Sequence, residues 1–211
     1  MQKLRAKKNF MVHNLDVLSL LFGSLLGDSW AECRNKHTKS VRFILQQENS
    51  NMEYLHWYHK YLSQRGYCSP KIPKKYLSLK NKVRYYYKIS TYSFSNIKWL
   101  YDEFYYNRVK RLPRHNVTRL LLTPLAIAVW FMDDGSRCSA GVKIATNGFE
   151  KKDLERIKKI IKELYSINTQ IQSAGKKNQF IIYIPKSEMP LFSKLIKPYM
   201  ISSMYYKLNG Y

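Results

Sequence analysis

Two apolar segments of the chain each end in acidic residues. Residues 21–29 read Leu-Phe-Gly-Ser-Leu-Leu-Gly-Asp-Ser and end near Asp28, whereas residues 127–135 read Ile-Ala-Val-Trp-Phe-Met-Asp-Asp-Gly and end near Asp133 and Asp134. Carboxylates that meet at helix C-termini repel one another unless a cation lies between them. Oxygen ligands of this kind suit Mg²⁺, which binds one or two carboxylates together with water and substrate phosphates. The pattern therefore indicates hydrolysis of a phosphodiester bond by metal-activated water.

The two segments form a pair at half-chain spacing. Asp28 and Asp134 are 106 positions apart in a chain of 211 residues. Small residues in both segments would let two helices approach closely; they are Gly23, Ser24, Gly27, Ala126 and Ala128. A glycine and an aspartate after a single apolar helix usually form a turn, so it is the pairing of the two segments that indicates a functional site. Packed side by side, the two helices would bring both acids to one place.

The composition favours a polyanionic partner. The formal net charge is +23, from 37 Lys and Arg against 14 Asp and Glu, and the basic residues are spread along the chain. An AT-rich gene would also enrich Lys, Asn, Ile and Tyr, whatever the protein did. The basic residues recur in strand-like stretches rather than in one cationic amphipathic helix, which favours nucleic acid over a membrane surface. No apolar run approaches the length of a membrane span.

The cysteines and the start of the chain indicate the compartment. Cys33, Cys68 and Cys138 include no Cys-x-x-Cys pair, which argues against a disulfide framework and a structural zinc site and fits a reducing compartment. The basic first residues match an import signal weakly. The weak import signal, together with an amino-acid composition typical of an AT-rich gene, predicts synthesis inside an organelle, a mitochondrion or a chloroplast.

The same order of elements is predicted after each acidic segment. Apolar and polar residues alternate with period two in the strands, and apolar residues recur at helical spacing in the helices. We expect an α+β (mixed α/β) fold of two pseudo-symmetric α-β-β-α-β-β-α halves, residues 1–112 and 113–211. The expected elements are strands around residues 41–45, 83–89, 142–146, 170–172 and 180–184, and helices over residues 51–65, 95–106, 150–165 and 187–197.

Both acidic segments resemble the paired LAGLIDADG motifs of single-chain homing endonucleases. The second, with its Trp-Phe-Met-Asp-Asp-Gly-Ser ending at residues 130–136, is the more specific, and the resemblance covers nearly the whole chain. It implies a monomer with the motif helices packed at its centre and two curved antiparallel sheets laid along the DNA major groove. The implied activity is a double-strand cut at a long asymmetric site, with Mg²⁺ or another divalent cation such as Mn²⁺.

The resemblance implies roles for residues at matching motif positions. Asp28 and Asp134 would bind the metal, with the backbone carbonyls of Gly27 and Asp133 as further ligands. Two lysines fall where the family places catalytic basic residues, Lys110 before the second motif and Lys207 near the chain end. Each would polarise the attacking water or stabilise the charged transition state. Arg111 competes with Lys110 for this role.

The two motifs depart from the family pattern in three places that bear on packing. Ser24 stands where the family has an apolar residue, Val129 occupies the position of Gly23, and Asp133 occupies that of Gly27. We therefore expect the second motif helix to pack less tightly.

Alternation in the strands predicts which residues contact DNA. Arg and Lys suit guanine edges or phosphates and Gln suits adenine, so the mixture fits a protein that reads sequence. None of the predicted positions is acidic. They are Arg34, Lys36, Thr38, Ser40, Arg42, Gln46, Lys82, Arg84, Tyr86 and Lys88 in the first half, and Arg137, Ser139, Lys143, Gln170, Gln172, Lys176, Lys177 and Gln179 in the second.

Two other functions are compatible with the same sequence features. The same fold serves maturases, which assist intron splicing by binding RNA, and a third interpretation is a DNA-binding regulator that has lost catalysis. His56 and His59 lie one helical turn apart without further metal-type neighbours, which predicts a helix surface. Tyr85 and Tyr87 lie on the apolar side of their predicted strand and are expected in the core.

Overall fold

The computed structural model repeats one series of elements after each motif helix. It describes residues 12–33, 39–78, 84–175 and 178–211. The first series comprises α1 (Leu15–Leu26), β1 (Trp30–Glu32), β2 (Arg42–Glu48), α2 (Met52–Gln64), β3 (Lys75–Ser78), β4 (Arg84–Ser90) and α3 (Lys98–Phe104). Next come a hairpin of β5 (Tyr105–Tyr106) and β6 (Val109–Lys110), and α4 (His115–Leu121). The second series comprises α5 (Pro124–Asp134), β7 (Gly135–Arg137), β8 (Val142–Ala145), α6 (Lys151–Tyr165), β9 (Gln170–Ser173), β10 (Phe180–Ile184) and α7 (Met189–Ile196).

The strands form two four-stranded antiparallel sheets of the same topology. Their orders are β1-β2-β4-β3 and β7-β8-β10-β9. The amphipathic helices α2 and α6 follow the second strand of each sheet, and α2 packs against β2 and β4, whereas α6 packs against β9 and β10. In α6 the buried residues are Leu154, Ile157, Ile160 and Ile161, at the spacing of one helix face. The prediction of a mixed α/β fold with antiparallel sheets is confirmed.

The motif helices α1 and α5 form the centre of the molecule and pack against each other. Every residue from Leu125 to Met132 is buried, as is every residue from Ser19 to Leu26. A helix that is apolar on all sides belongs in the interior, because each face then has a partner. The start of α5 is fixed by Thr123, whose side chain accepts a hydrogen bond from the Ala126 amide, and by Pro124 in the first turn.

Glycines make the contact between α1 and α5 possible. A Cβ atom at Gly23 would lie 2.2 Å from the carbonyl oxygen of Ala126, and one at Gly27 would lie 2.6 Å from the Cβ of Asp133. Ser24, predicted in the same contact, instead turns to α2, where its hydroxyl lies 2.8 Å from that of Tyr58. The close approach is therefore confirmed for the glycines and wrong for Ser24.

Three local predictions are corrected by the structure. The helix expected over residues 95–106 ends at Phe104, because the chain turns into the β5–β6 hairpin through Asn107 and Arg108, both at positive φ. The helix expected over residues 187–197 is α7, with a short 3₁₀ turn on each side, Lys186–Glu188 and Lys197–Tyr199. Tyr85, expected in the core, is 46% exposed and lies against the Lys75 ammonium.

In the described parts of the chain, no helix combines the length and the apolar character needed to cross a membrane. The longest apolar helices, α1 and α5, have 12 and 11 residues. They are buried against each other instead.

Replacing Gly23 by Ala tests the helix contact. The new methyl group would meet backbone atoms of α5, which cannot rotate away, so we expect a loss of about 1–3 kcal/mol in the free energy of unfolding. Urea unfolding followed by circular dichroism measures it. Gly148→Ala is the matched control, because a Cβ at Gly148 meets nothing within 4 Å. Equal midpoints for the two variants would contradict the proposed close contact.

Candidate active site

The acids of both motifs meet where α1 and α5 end. Asp28 follows the last turn of α1, and Asp133 and Asp134 close α5. The backbone N–H of Asp28 donates a hydrogen bond to Oδ2 of Asp133 at 3.3 Å. The predicted acids therefore lie together across the helix pair, although they are 105 and 106 positions apart in the sequence.

One group of residues, here named the Asp28 cluster, consists of Asp28, Asp133, Gln47 and Lys207. The Gln47 side-chain amide donates to Oδ2 of Asp28 at 2.8 Å and to Oδ1 of Asp133 at 3.4 Å. The Lys207 ammonium donates to the backbone carbonyls of Met132 and Asp133. This cluster draws its acids from both motifs and its amide from β2.

A second group, here named the Asp134 cluster, consists of Asp134, Gly27 and Lys110. The Lys110 ammonium donates to the Gly27 carbonyl at 3.2 Å. A cavity beside these residues is lined by Leu26 and by the end of β8 with the loop after it, residues 145–149. Each cluster thus combines an acid from one motif with the backbone carbonyl of the residue before the acid in the other motif.

Asp133 and Asp134 are held in an environment that disfavours their negative charge. Burial, and then the charge of Asp28, raise the pKa of Asp134 to about 7 and raise that of Asp133 well above the usual range. Burial lowers the pKa of Lys110 and of Lys207, while the three acids act in the opposite direction. A cation bound between such buried, neighbouring carboxylates would stabilise their ionised form.

The residues present fit an open magnesium site. In the described part of the chain, no three His, Cys, Asp or Glu side chains are grouped so that they could hold a metal ion by themselves. A cation here would therefore need backbone oxygens, water and phosphate to complete its coordination, as Mg²⁺ commonly does. The Gly27 and Asp133 carbonyls accept hydrogen bonds from Lys110 and Lys207, and their role as metal ligands stays a prediction.

The geometry distinguishes Lys110 from its neighbour Arg111. Tyr105 pairs with Lys110 in the β5–β6 hairpin and accepts a hydrogen bond through its hydroxyl from the Ala31 amide, which fixes the hairpin beside the first motif. Lys110 then points to the acids. Arg111 is exposed and donates to the backbone carbonyls of Asp102 and Glu103. Of these two residues, Lys110 alone reaches the site.

Sequence reasoning missed Gln47 and its partner Asn51. Gln46 was predicted to contact DNA, but Gln47 is the residue that turns inward, and it is 5% exposed. The Asn51 side-chain amide donates to Oε1 of Gln47 at 3.0 Å and so directs the Gln47 nitrogen to the acids. The available signal was a polar residue in register with Phe43 and Leu45 on the buried face of β2.

The outer face of the first sheet carries several of the predicted DNA contacts. Gln46 pairs with Lys88, and Tyr86 stacks on Tyr76 with ring centroids 5.4 Å apart. Ser40 lies partly exposed just before the sheet. Two acids that were not among the predicted positions, Glu32 and Glu48, share this face. Arg34, Lys36, Thr38, Lys82 and the side chain of Arg84 lie outside the described residues.

Arg42 differs from the prediction of a free DNA-binding side chain. Its guanidinium forms an ion pair with Glu32 at 2.6 Å. Burial acts to raise the pKa of Glu32, but hydrogen bonds from Trp30 and Arg42 outweigh it and leave that pKa below its usual value. Any contact of Arg42 with DNA would have to share the guanidinium with this carboxylate.

The second sheet presents Lys143, Gln170 and Gln172 on one face. Lys143 and Gln170 both pair with Tyr183, and Gln172 pairs with Ile181 two residues away on the same strand. Arg137 is exposed but pairs with Val142, so the register assigns Ser136, rather than Arg137, to the Lys143 face. Ser139 and Gln179 lie in the connections between strands, and Lys176 and Lys177 lie outside the described residues.

Two packed apolar helices that end in acids, placed between two antiparallel sheets, define the LAGLIDADG class of proteins. The chain belongs to this family: the sequence profile described as the LAGLIDADG DNA endonuclease family matches residues 18–192. The structure is similar to that of the homing endonuclease I-WcaI bound to its DNA recognition sequence, with a TM-score of 0.84, 25% identity and coverage of 96% of this chain and 90% of that one.

Relatives by sequence carry two kinds of name. The chain is 38% identical over 207 residues to the cytochrome b mRNA maturase bI2 of Saccharomyces cerevisiae, covering 94% of this chain and 48% of that protein. It therefore spans about half the length of this relative. It is 36% identical over 158 residues to the intron-encoded endonuclease ai4 of Dictyostelium discoideum, covering 72% of this chain and 98% of that one. I-DmoI, solved in complex with DNA and Mn, shares the fold at a TM-score of 0.50 and 13% identity.

Proposed function

We propose that the protein is a site-specific endonuclease that uses a divalent metal ion, Mg²⁺ or Mn²⁺, to cut both strands of double-stranded DNA at a long asymmetric site. The observation that carries the proposal is that three acids and two lysines meet where α1 and α5 end. Two clusters, one for each strand, match the need to hydrolyse two phosphodiester bonds.

The side chains divide the chemistry between them. The metal, when bound, supplies an activated water and stabilises the charge of the leaving oxygen. Asp28 and Asp134 would hold it, with the carbonyls of Gly27 and Asp133. Lys110 and Lys207, which already donate hydrogen bonds at the site, would donate to phosphate oxygens as negative charge builds up on them.

The two sheets would read the DNA. We propose that residues 1–112 and 113–211 act as halves of one monomer, each contacting one half of the target. Lysines such as Lys88 and Lys143 would neutralise phosphates, whereas Gln46, Gln170 and Gln172 would contact base edges. The net charge of +23 supports strong, salt-dependent binding.

We also propose an organelle as the site of synthesis and action. Support comes from the amino-acid composition, which is typical of an AT-rich gene, and from relatives named for introns and for cytochrome b mRNA.

The nuclease assignment is tested with a plasmid library of random sites, incubated with Mg²⁺ and sequenced at the ends produced. We expect defined double-strand ends that disappear with EDTA. On the recovered target, Asp28→Asn and Asp134→Asn should lower the cleavage rate by about a hundredfold or more and leave the dissociation constant within about tenfold, because these acids serve the transition state. Asp102→Asn, in an exposed ion pair with Lys98, is the control. Normal cutting by both site variants would refute the assignment.

The two lysines are tested by substitution with methionine. Removal of one donor near the developing charge should slow cleavage by about a hundredfold with little loss of DNA binding. Because Lys110 and Lys207 lie in different clusters, each variant should slow one strand more than the other and accumulate nicked circles in a supercoiled-plasmid time course. Arg111→Met is the matched control, since the Arg111 side chain points away from the site and donates to the backbone carbonyl of Asp102. Wild-type rates for Lys110→Met and Lys207→Met would show that they are ordinary surface charges.

A second candidate function is RNA maturation, favoured by the 38% identity to a maturase. Binding of intron RNA does not require the acids, so Asp28→Asn should still support splicing of the host intron's transcript if the chain is a maturase. An in vitro splicing assay with the wild type and this variant measures it. The absence of stimulation by either protein would restrict the chain to DNA, and splicing without any DNA cleavage would make it a maturase alone.

A further inference from the structure

The motif position before each acid is occupied differently in the two halves. It is Gly27 in the first motif and Asp133 in the second. A Cβ at Gly27 would lie 2.6 Å from both Cβ and Oδ2 of Asp133, so the space left by the missing side chain of Gly27 is taken by the Asp133 carboxylate. The site therefore contains a third carboxylate that has no counterpart in the other half.

The Asp133 carboxylate is a double acceptor inside the Asp28 cluster. Oδ2 accepts from the Asp28 amide at 3.3 Å, and Oδ1 accepts from the Gln47 amide group at 3.4 Å. The flanking residues are bonded elsewhere, because the Gly27 amide donates to Gly23 and the Ser29 amide donates to Ser24. Asp133 thus holds the backbone that carries the Asp28 side chain, as well as the amide that contacts it.

A fully buried tyrosine lies next to this carboxylate. Tyr54 of α2 is 0% exposed, and within the described ranges its hydroxyl makes no hydrogen bond of normal geometry. Burial, and then the charge of Asp133, raise the pKa of Tyr54 well above its usual value. A buried hydroxyl without an alternative partner beside a carboxylate is a donor directed at it.

The position that corresponds to Gln47 in the second half holds a threonine. Trp30 pairs with Ile44, and Ser136 pairs with Lys143, so Gln47 and Thr146 occupy matching positions three residues further on. The Thr146 hydroxyl donates to the carbonyl of Phe180 at 2.6 Å, within its own half, rather than to an acid. Within the described ranges, no side-chain amide donates to Asp134, and the counterpart of Asp133 in the first motif is Gly27.

We propose that the Asp133 side chain is a positioning residue of the Asp28 cluster alone, fixing Asp28 and Gln47, and that the two DNA strands are therefore cut with unequal dependence on it. This inference rests on the proposed nuclease function. It goes beyond the role of the Asp133 backbone carbonyl, because it concerns the carboxylate and one strand.

Asp133→Asn is the informative substitution. Asn has the same shape but a single acceptor oxygen, so one of the two donors, Asp28 N–H or the Gln47 amide, must face an NH₂ group. With the target labelled on each strand, we expect the strand slowed most by Lys207→Met to slow by about tenfold or more in Asp133→Asn. The strand slowed most by Lys110→Met should stay within about threefold. Asp153→Asn, which removes a partly buried acid paired with Arg156 on α6, is the matched control and should alter neither strand.

A second measurement does not depend on cleavage. Hydrogen exchange by NMR on the DNA-free protein should show the Asp28 amide exchanging about tenfold faster or more in Asp133→Asn and unchanged in Asp153→Asn. Equal slowing of both strands, or an unchanged Asp28 amide, overturns the proposal. If the wild type cuts no DNA, the nuclease assignment fails, and the exchange result alone decides whether Asp133 positions Asp28. If Asp133→Asn does not fold, Tyr54→Phe replaces it, with a smaller effect expected on the same strand and the same amide.

Discussion

The close contact between α1 and α5 is the constraint on which the rest of the structure depends. The backbones approach at Gly23, where a single methyl group would collide with Ala126, and again at Gly27, where the space is filled by Asp133. Both helices run to the same end of the contact, so their free carbonyls and their acids converge there. The sheets, the helices that cover them and the two lysines are arranged around this point.

Convergence of two helix C-termini and three acids concentrates negative potential at one place in a chain of net charge +23. Lys110 and Lys207 offset this negative potential. Lys110 donates to a carbonyl at the end of α1, and Lys207 donates to one at the end of α5. They therefore cap the helices as well as facing the acids. A site of this kind does not need a complete cage of ligands, because the phosphates of a bound nucleic acid bring the remaining oxygens. Folding and catalysis would thus depend on the same few groups.

The sequence was sufficient for the order of elements, the helix pair and both acids, because these follow from periodicity, from the spacing of the two motifs and from small residues at a contact. Gln47 was missed because the strand was predicted to end at residue 45, whereas β2 continues to Glu48 and places Gln47 on the buried face of Phe43 and Leu45. The ion pair of Arg42 with Glu32 was missed because the two residues are brought together by strand pairing. The helix over residues 95–106 was predicted too long, since the positive φ values at Asn107 and Arg108 depend on the hairpin that delivers Lys110.

Pseudo-symmetry and asymmetry have different physical origins in this molecule. The repeated order of strands and helices gives two sheets of equal topology, which suits a long double-stranded target. The helix contact, however, cannot carry an acid on both sides, because two carboxylate side chains at the positions of Gly27 and Asp133 would occupy the same space. One half must supply the glycine if the other supplies the acid. Close packing at the centre is therefore what makes the two halves of the site chemically different.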